Sequence, residues 1–364
     1  MNGIAERRLR NQHVTRTVFR RPADVVAWFG AMQAQEYDVA KWAIALRMQD
    51  GSSDTQVARA FDEGKILRTH AMRPTWHFVT PADIRWIQAL TGPRVQRIAA
   101  SYNRRLELDP RTLTRGTGVI ERALRDHQYL TRTELGERLQ RARLAMSGQR
   151  LAHLMMHAEL EAVVCSGPRR GRRFTYALVA ERAPGAVPLS HDEALALLTR
   201  RYFSSHGPAT IRDFVWWSGL TTADAKRGLE MNTARREELN GLVYWTIGPD
   251  RSQATKAELA CLLPIYDEYL IAYRDRQAVP HSVGLMTSDS GAAVTFQHAV
   301  VIRGQVAGTW RIARQSRAIQ ITISLLRPIT GVERRALVHA VARYERFMGT
   351  SASLSSVRIE PGAS

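Results

Sequence analysis

Only two cysteines, Cys165 and Cys261, occur in 364 residues, and neither belongs to a C-x-x-C pair. Their distance and number exclude a disulfide scaffold. No run approaches the ~20 apolar residues of a membrane span. The charged stretch from Met1 to Arg21 lacks an apolar centre, so it is not expected to act as a secretory signal. The expectation is a soluble, cytoplasmic protein that meets no membrane. A phosphate-cradling glycine loop and a Ser/His/Asp arrangement are missing as well. Lysine is scarce, with Lys41, Lys65, Lys226 and Lys256 as the only four. Acids are outnumbered too: 34 Asp and Glu face 52 Lys and Arg, for a net charge of +18. A cation of this size is expected to bind polyanions, with strong salt dependence.

What is present is a pattern that repeats three times: a helix, a capped second helix, then apolar strands. In the first copy Ser53 is an N-cap and Gln56 its capping-box partner, opening Val57 to Phe61. Ile66 to Met72, the Arg73-Pro74 turn and Thr75 to Val79 then read as a hairpin. In the second, Thr131 and Glu134 cap a helix, another follows from Gln149 to Glu161, and strands flank a loop carrying Arg169, Arg170, Arg172 and Arg173. Such a loop is a wing suited to a phosphate backbone. In the third, a helix from Ala209 ends at Gly219, and Thr221 opens the next after a short turn, which is helix-turn-helix chemistry. Past Gly248-Pro249 the pattern turns strand-rich, with Arg303-Gly304 as a turn and a helix from about Gly331 to Met348.

The chain is therefore expected to be α+β. It divides into winged-helix units at 1–110, 111–185 and 186–254, a β-rich, barrel-like domain at 255–348 and a loose tail at 349–364. Inside the first unit lies Gln33-Ala34-Gln35, in a segment of helical apolar period that opens at Asp24. Helical neighbours two apart point about 200° away from each other. Both amides therefore reach one site only at a helix end or a break.

These segments resemble the bacterial winged-helix DNA glycosylases of the azinomycin-resistance (AlkZ/YcaQ) type. The resemblance rests on Gln33-Ala34-Gln35, Trp42 to Arg47, Arg73 to Val79, Leu263-Pro264-Ile265-Tyr266-Asp267-Glu268-Tyr269, and Gly304 to Arg311. It implies three tandem winged helices and a β-barrel in a C shape around a DNA channel. Gln33 and Gln35 match the Gln-x-Gln form of the family's catalytic signature, and no cofactor or metal is implied. The implied activity is a monofunctional DNA glycosylase, acting as a monomer on double-stranded DNA that carries an alkylated purine.

A glutamine amide does not ionise in water, so neither residue is a strong general base. That points to an already activated leaving group, such as a purine made cationic by alkylation at guanine N7 or adenine N3. Two amide oxygens can hold one water and turn negative dipoles towards a cationic sugar. Crosslinked purines and self-resistance to an alkylating natural product fall within the same reading. DNA contacts are expected from Lys41, Arg73, His77 and the wing arginines Arg169, Arg170, Arg172 and Arg173. Glu36 and Asp38 adjoin the pair as possible bases or as a solvated helix end. Asp267 and Glu268 are paired acids that could anchor Arg274 or Arg276. His153 and His157 have metal-ligand spacing but no third ligand. Two alternatives compete: a dimeric winged-helix transcription regulator without catalysis, and a protein that sequesters the alkylating agent itself.

Overall fold

The computed structural model describes residues 2–249, 259–279, 286–287, 295–314, 319–350 and 352–359. Helix and sheet are mixed throughout, and the helix starts follow local rules. Thr131, Ser190, Thr210, Thr221 and Thr330 each close a capping box with the acid three residues on. Ser53 caps Asp54–Asp62 from one side only. It accepts the Gln56 N–H, while the Gln56 side chain turns to the Arg20 carbonyl.

Each repeated unit carries a small sheet. Leu67–Ala71 pairs with Thr75–Val79, whose other edge takes the two-residue strand Met32–Gln33. Thr175–Leu178 lies between Leu130–Thr131 and Val164–Ser166. Ala234–Leu239 pairs with Leu242–Ile247 across Asn240 and Gly241, whose φ values of 52° and 73° make a primed hairpin turn. The expected end of the third unit at 254 lies outside the described residues.

Gly219 ties the third unit to the first. It ends the helix Ile211–Ser218 at φ 71°, and a Cβ there would lie 2.4 Å from the Met72 carbonyl oxygen. A non-glycine residue held left-handed costs on the order of 1–3 kcal/mol, before the clash is counted. Gly219→Ala is therefore expected to lower the urea midpoint by at least that equivalent; an unchanged midpoint would mean the Met72 turn yields freely.

The C-terminal part corrects two expectations. Five of its described strands form one open sheet, in the order Ala352–Ile359, Ile319–Leu325, Gln305–Arg314, Ala299–Ile302 and Ala260–Leu263, while Met286–Thr287 pairs with Thr295–Phe296 apart from it, and no barrel closes among them. Closure is not needed to bury the apolar side chains. Tyr344 and Phe347 of the helix Gly331–Met348 meet Trp42, and Tyr344 also meets Trp310 of the sheet. The expected loose tail is also replaced in part by structure. Ala352–Ile359 runs parallel to Ile319–Leu325, satisfying main-chain groups that an edge strand would leave unpaired.

One apolar core runs from Ile4, Phe29 and Trp42 to Leu262, Trp310 and Phe347, so the first helices and the last sheet fold onto each other. A second joins Leu67 and Met72 of the first hairpin to Tyr202, Phe214 and Trp217. Leu108 to Leu178 enclose a third. The first hairpin thus sits where several parts of the chain meet.

Candidate active site

The Gln33 segment is not helical. Gly30, at φ 82°, ends the helix Pro22–Phe29, and the next helix, Tyr37–Ala45, starts after Glu36. Between them Met32 pairs with Phe78 and Gln33 with His77, and the Ala34 N–H donates to the Trp76 carbonyl at 2.8 Å. The break ends the strand at Gln33 and puts Gln35 in a bend two residues on, so both side chains are half-buried beside the first hairpin, with Ala34 fully buried between them. Continuous helical period misled here, and the alternative of a break is what the chain adopts.

Both amide oxygens already accept protein donors. Arg73 Nη2 donates to Gln33 Oε1 at 3.2 Å, and the Trp76 N–H reaches Gln35 Oε1 at 3.4 Å. The Gln33 N–H donates to Glu268 Oε1 at 2.7 Å. Arg68 supports the loop from behind, donating to the carbonyls of Ala34 at 2.9 Å and Gln35 at 3.3 Å. Its guanidinium lies over the rings of Trp76 and Phe174, and burial pulls its pKa down to about 10.

The two acids separate completely. Asp267 grips Arg47 through two bonds of 2.9 Å, both side chains being 0% exposed. Glu268, also buried, accepts from Trp217 Nε1 at 2.9 Å and faces His206 Nε2 at 3.3 Å. Burial pushes the Glu268 carboxyl up. The His206 hydrogen bond and charge and the Gln33 amide outweigh it and hold the group below its ordinary value. Neither acid therefore anchors Arg274 or Arg276, as the sequence had suggested; the Arg274 N–H instead donates to Asp213. Two buried acids need buried donors, and Arg47, His206 and Trp217 supply them from distant segments.

Lys41 and His77, expected at DNA, are buried. Lys41 Nζ pairs with Asp54 at 2.7 Å and lies 3.7 Å from Asp38. His77 is 1% exposed behind Gln33, with Nδ1 on the Thr75 carbonyl. Burial, helped by the charge of Arg73, pulls its pKa to about 3, so the ring is neutral. The wing divides as well. Arg169 packs over Tyr37 and Phe174, and Arg170 pairs with Glu134 at 2.8 Å, while Arg172 and Arg173 are exposed. Glu36 and Asp38 are exposed beside the pair, and Asp38 lies 3.7 Å from Arg169. His153 bonds to Asn103. Trp216 is half-buried, with Arg73 and Arg274 over its ring at 5.6 and 5.4 Å.

The site thus offers two fixed neutral amides, a guanidinium and aromatic faces, and among the described residues no acid or base hydrogen-bonds either amide side chain. Such a group can orient and polarise a substrate that needs little proton transfer. Sequence reading missed His206, Trp217 and Arg68; Arg68 alone carried a signal, as a charge inside the apolar hairpin strand.

Residues 26–347 match the profile of the family described as DNA glycosylase AlkZ-like. The interstrand DNA cross-link repair glycosylase of Streptomyces sahachiroi is 27% identical over 331 residues, covering 86% of this chain and 88% of that protein. The solved structure of the Streptomyces sahachiroi DNA glycosylase AlkZ matches with a TM-score of 0.82 over 99% of both chains, at 22% identity, which is a likeness of fold.

Proposed function

The chain belongs to the AlkZ-like DNA glycosylase family, and from that membership we propose that its Gln33–Gln35 pair hydrolyses the N-glycosidic bond of cationic alkylated purines. The observation that carries the reading is that two half-buried glutamines lie beside the first hairpin, each amide oxygen held by a protein donor. Amides cannot take up or release a proton as acids and bases do, so the leaving group must depart without proton transfer. A purine alkylated at guanine N7 does: the C1′–N9 bond breaks, its electron pair neutralises the purinium, and water adds to C1′ and sheds a proton to solvent. Fixed dipoles and orientation then supply the acceleration.

The substrate class extends to bulky adducts and interstrand crosslinks, the lesion in the name of the Streptomyces sahachiroi relative. Self-resistance to an alkylating natural product is the matching biological role. We read the three helix-and-hairpin units as winged helices at 1–110, 111–185 and 186–254, curving in a C around the duplex, with the protein acting as a monomer. The regulator reading is set aside because the family is one of enzymes.

The test is a duplex with a single N7-methylguanine, scored for abasic sites by alkaline cleavage. Release well above the spontaneous rate is expected; release at the spontaneous rate from both this lesion and a crosslinked duplex would sink the proposal.

Exposed Arg172 and Arg173 are the wing's phosphate contacts in this reading. Replacing both with Ser is expected to weaken binding on all sequences alike. It should also lower the slope of log affinity against log salt by about 1–2, measured by fluorescence anisotropy. An unchanged slope would place the wing off the DNA.

A further inference from the structure

A guanidinium has five N–H donors and no acceptor. The atom of Gln33 that faces Arg73 Nη2 at 3.2 Å must therefore be the amide oxygen, whichever way the amide is drawn. The Gln33 NH2 group is consequently turned away from Arg73. Among the described residues no hydrogen bond takes it up, whereas the Gln33 main-chain N–H is committed to Glu268. Arg73 is itself well braced. It follows Met72, at φ 58°, in a turn whose N–H groups at Arg73 and Thr75 each close a 2.6 Å bond within the turn. The Met72 N–H is held by Thr91 Oγ1 at 3.2 Å, and the Met72 carbonyl abuts Gly219. Trp216 lies beneath the guanidinium.

We propose that Arg73 is a positioning residue that fixes Gln33 as a hydrogen-bond donor, aimed at an acceptor atom of the leaving purine. This rests on the glycosylase reading above and divides the roles of the pair. When the C1′–N9 bond breaks, its electron pair enters the purine ring and raises the negative charge on the ring nitrogens and on O6. A donor already in place gains most at that moment, which is the requirement for lowering the barrier. Arg73 also polarises the amide through its oxygen, making the NH2 group a better donor. The second lone pair of the Gln35 oxygen is left for water.

The decisive variant is Gln33→Glu. A carboxylate fits beside Arg73 and pairs with it, so the fold is kept, but it has no donor. Single-turnover release from the N7-methylguanine duplex is expected to fall by about 100-fold or more, with duplex affinity within about threefold of wild type. A residue that merely held water would work as well or better as a carboxylate, so wild-type or faster release by Gln33→Glu overturns the proposal.

Arg73→Met tests the positioning role. It is expected to lower the release rate by about 10- to 100-fold with little change in affinity, and Arg73→Lys, another pure donor, should recover part of the loss. In a Gln33→Ala background Arg73→Met should cost nothing further, because its only route is through Gln33; an equal additional loss there overturns the positioning role. If Arg73→Met melts during purification, the Gln33→Glu result decides alone. A wild-type protein inactive on every alkylated duplex would refute the underlying glycosylase reading, a failure distinct from an active enzyme that tolerates Gln33→Glu.

Discussion

Gln33→Ala and Gln35→Ala each release N7-methylguanine at least about 100-fold more slowly than wild type, the loss typical of one preorganised polar group. Both keep duplex affinity within about threefold. The expectation follows from where the two side chains sit. Each amide accepts one donor and belongs to a segment whose main chain is pinned separately, by Glu268, Trp76 and Arg68. Truncation to Ala removes the amide and leaves that main-chain scaffold standing. Little of the DNA-binding charge is touched. A fall in kcat without a fall in affinity is the signature of a group that acts in the transition state. Parallel losses in affinity and rate would instead make the pair part of the DNA-binding surface and send the search for catalytic groups to Glu36 and Asp38.

Arg47→Met is expected to cost about 3–5 kcal/mol of stability, the usual result of stripping one partner from a buried pair. Arg47 and Asp267 are both 0% exposed and meet through two bonds. The same guanidinium donates to Gln12 Oε1 at 2.8 Å and to the Ala43 carbonyl at 2.7 Å. Removing it leaves a carboxylate in an apolar core with only main-chain donors such as the Tyr269 N–H. Asp267→Asn placed on top should recover part of the loss by deleting the orphaned charge. Urea denaturation of the two variants reads both effects. A double variant no better than Arg47→Met would show that geometry rather than charge carries the pair.

The helices were largely legible because their signals are local. Thr131 and Glu134 lie three residues apart and closed their box as read, and Thr221 capped the helix it was expected to open. The first hairpin was legible for the same reason: strands flank the Arg73-Pro74 turn within a dozen residues. The Gln33–Gln35 segment was half legible. The incompatibility of Gln33 and Gln35 with one helical face was visible, but the strand that resolves it depends on pairing with His77 and Phe78. Glu268 was visible only as an acid beside an apolar run; what it holds is 235 residues away along the chain. The open sheet was hidden because alternating strands look alike in a barrel and beside a helix. The strand Ala352–Ile359 was hidden because an edge strand takes its order from its neighbour's main chain.

The bond from Glu268 to the Gln33 amide also sets a schedule for synthesis. A ribosome adding about 5–20 residues per second takes roughly 10–50 s to travel from one residue to the other. Throughout that interval the strand has only its early partners, Trp76 and Arg68, while the Glu268 bond and the sheet that shares its core are still missing. The hydrogen bond that holds the Gln33 main chain is thus completed only once residue 268 has been made, so the segment reaches its final form late in synthesis.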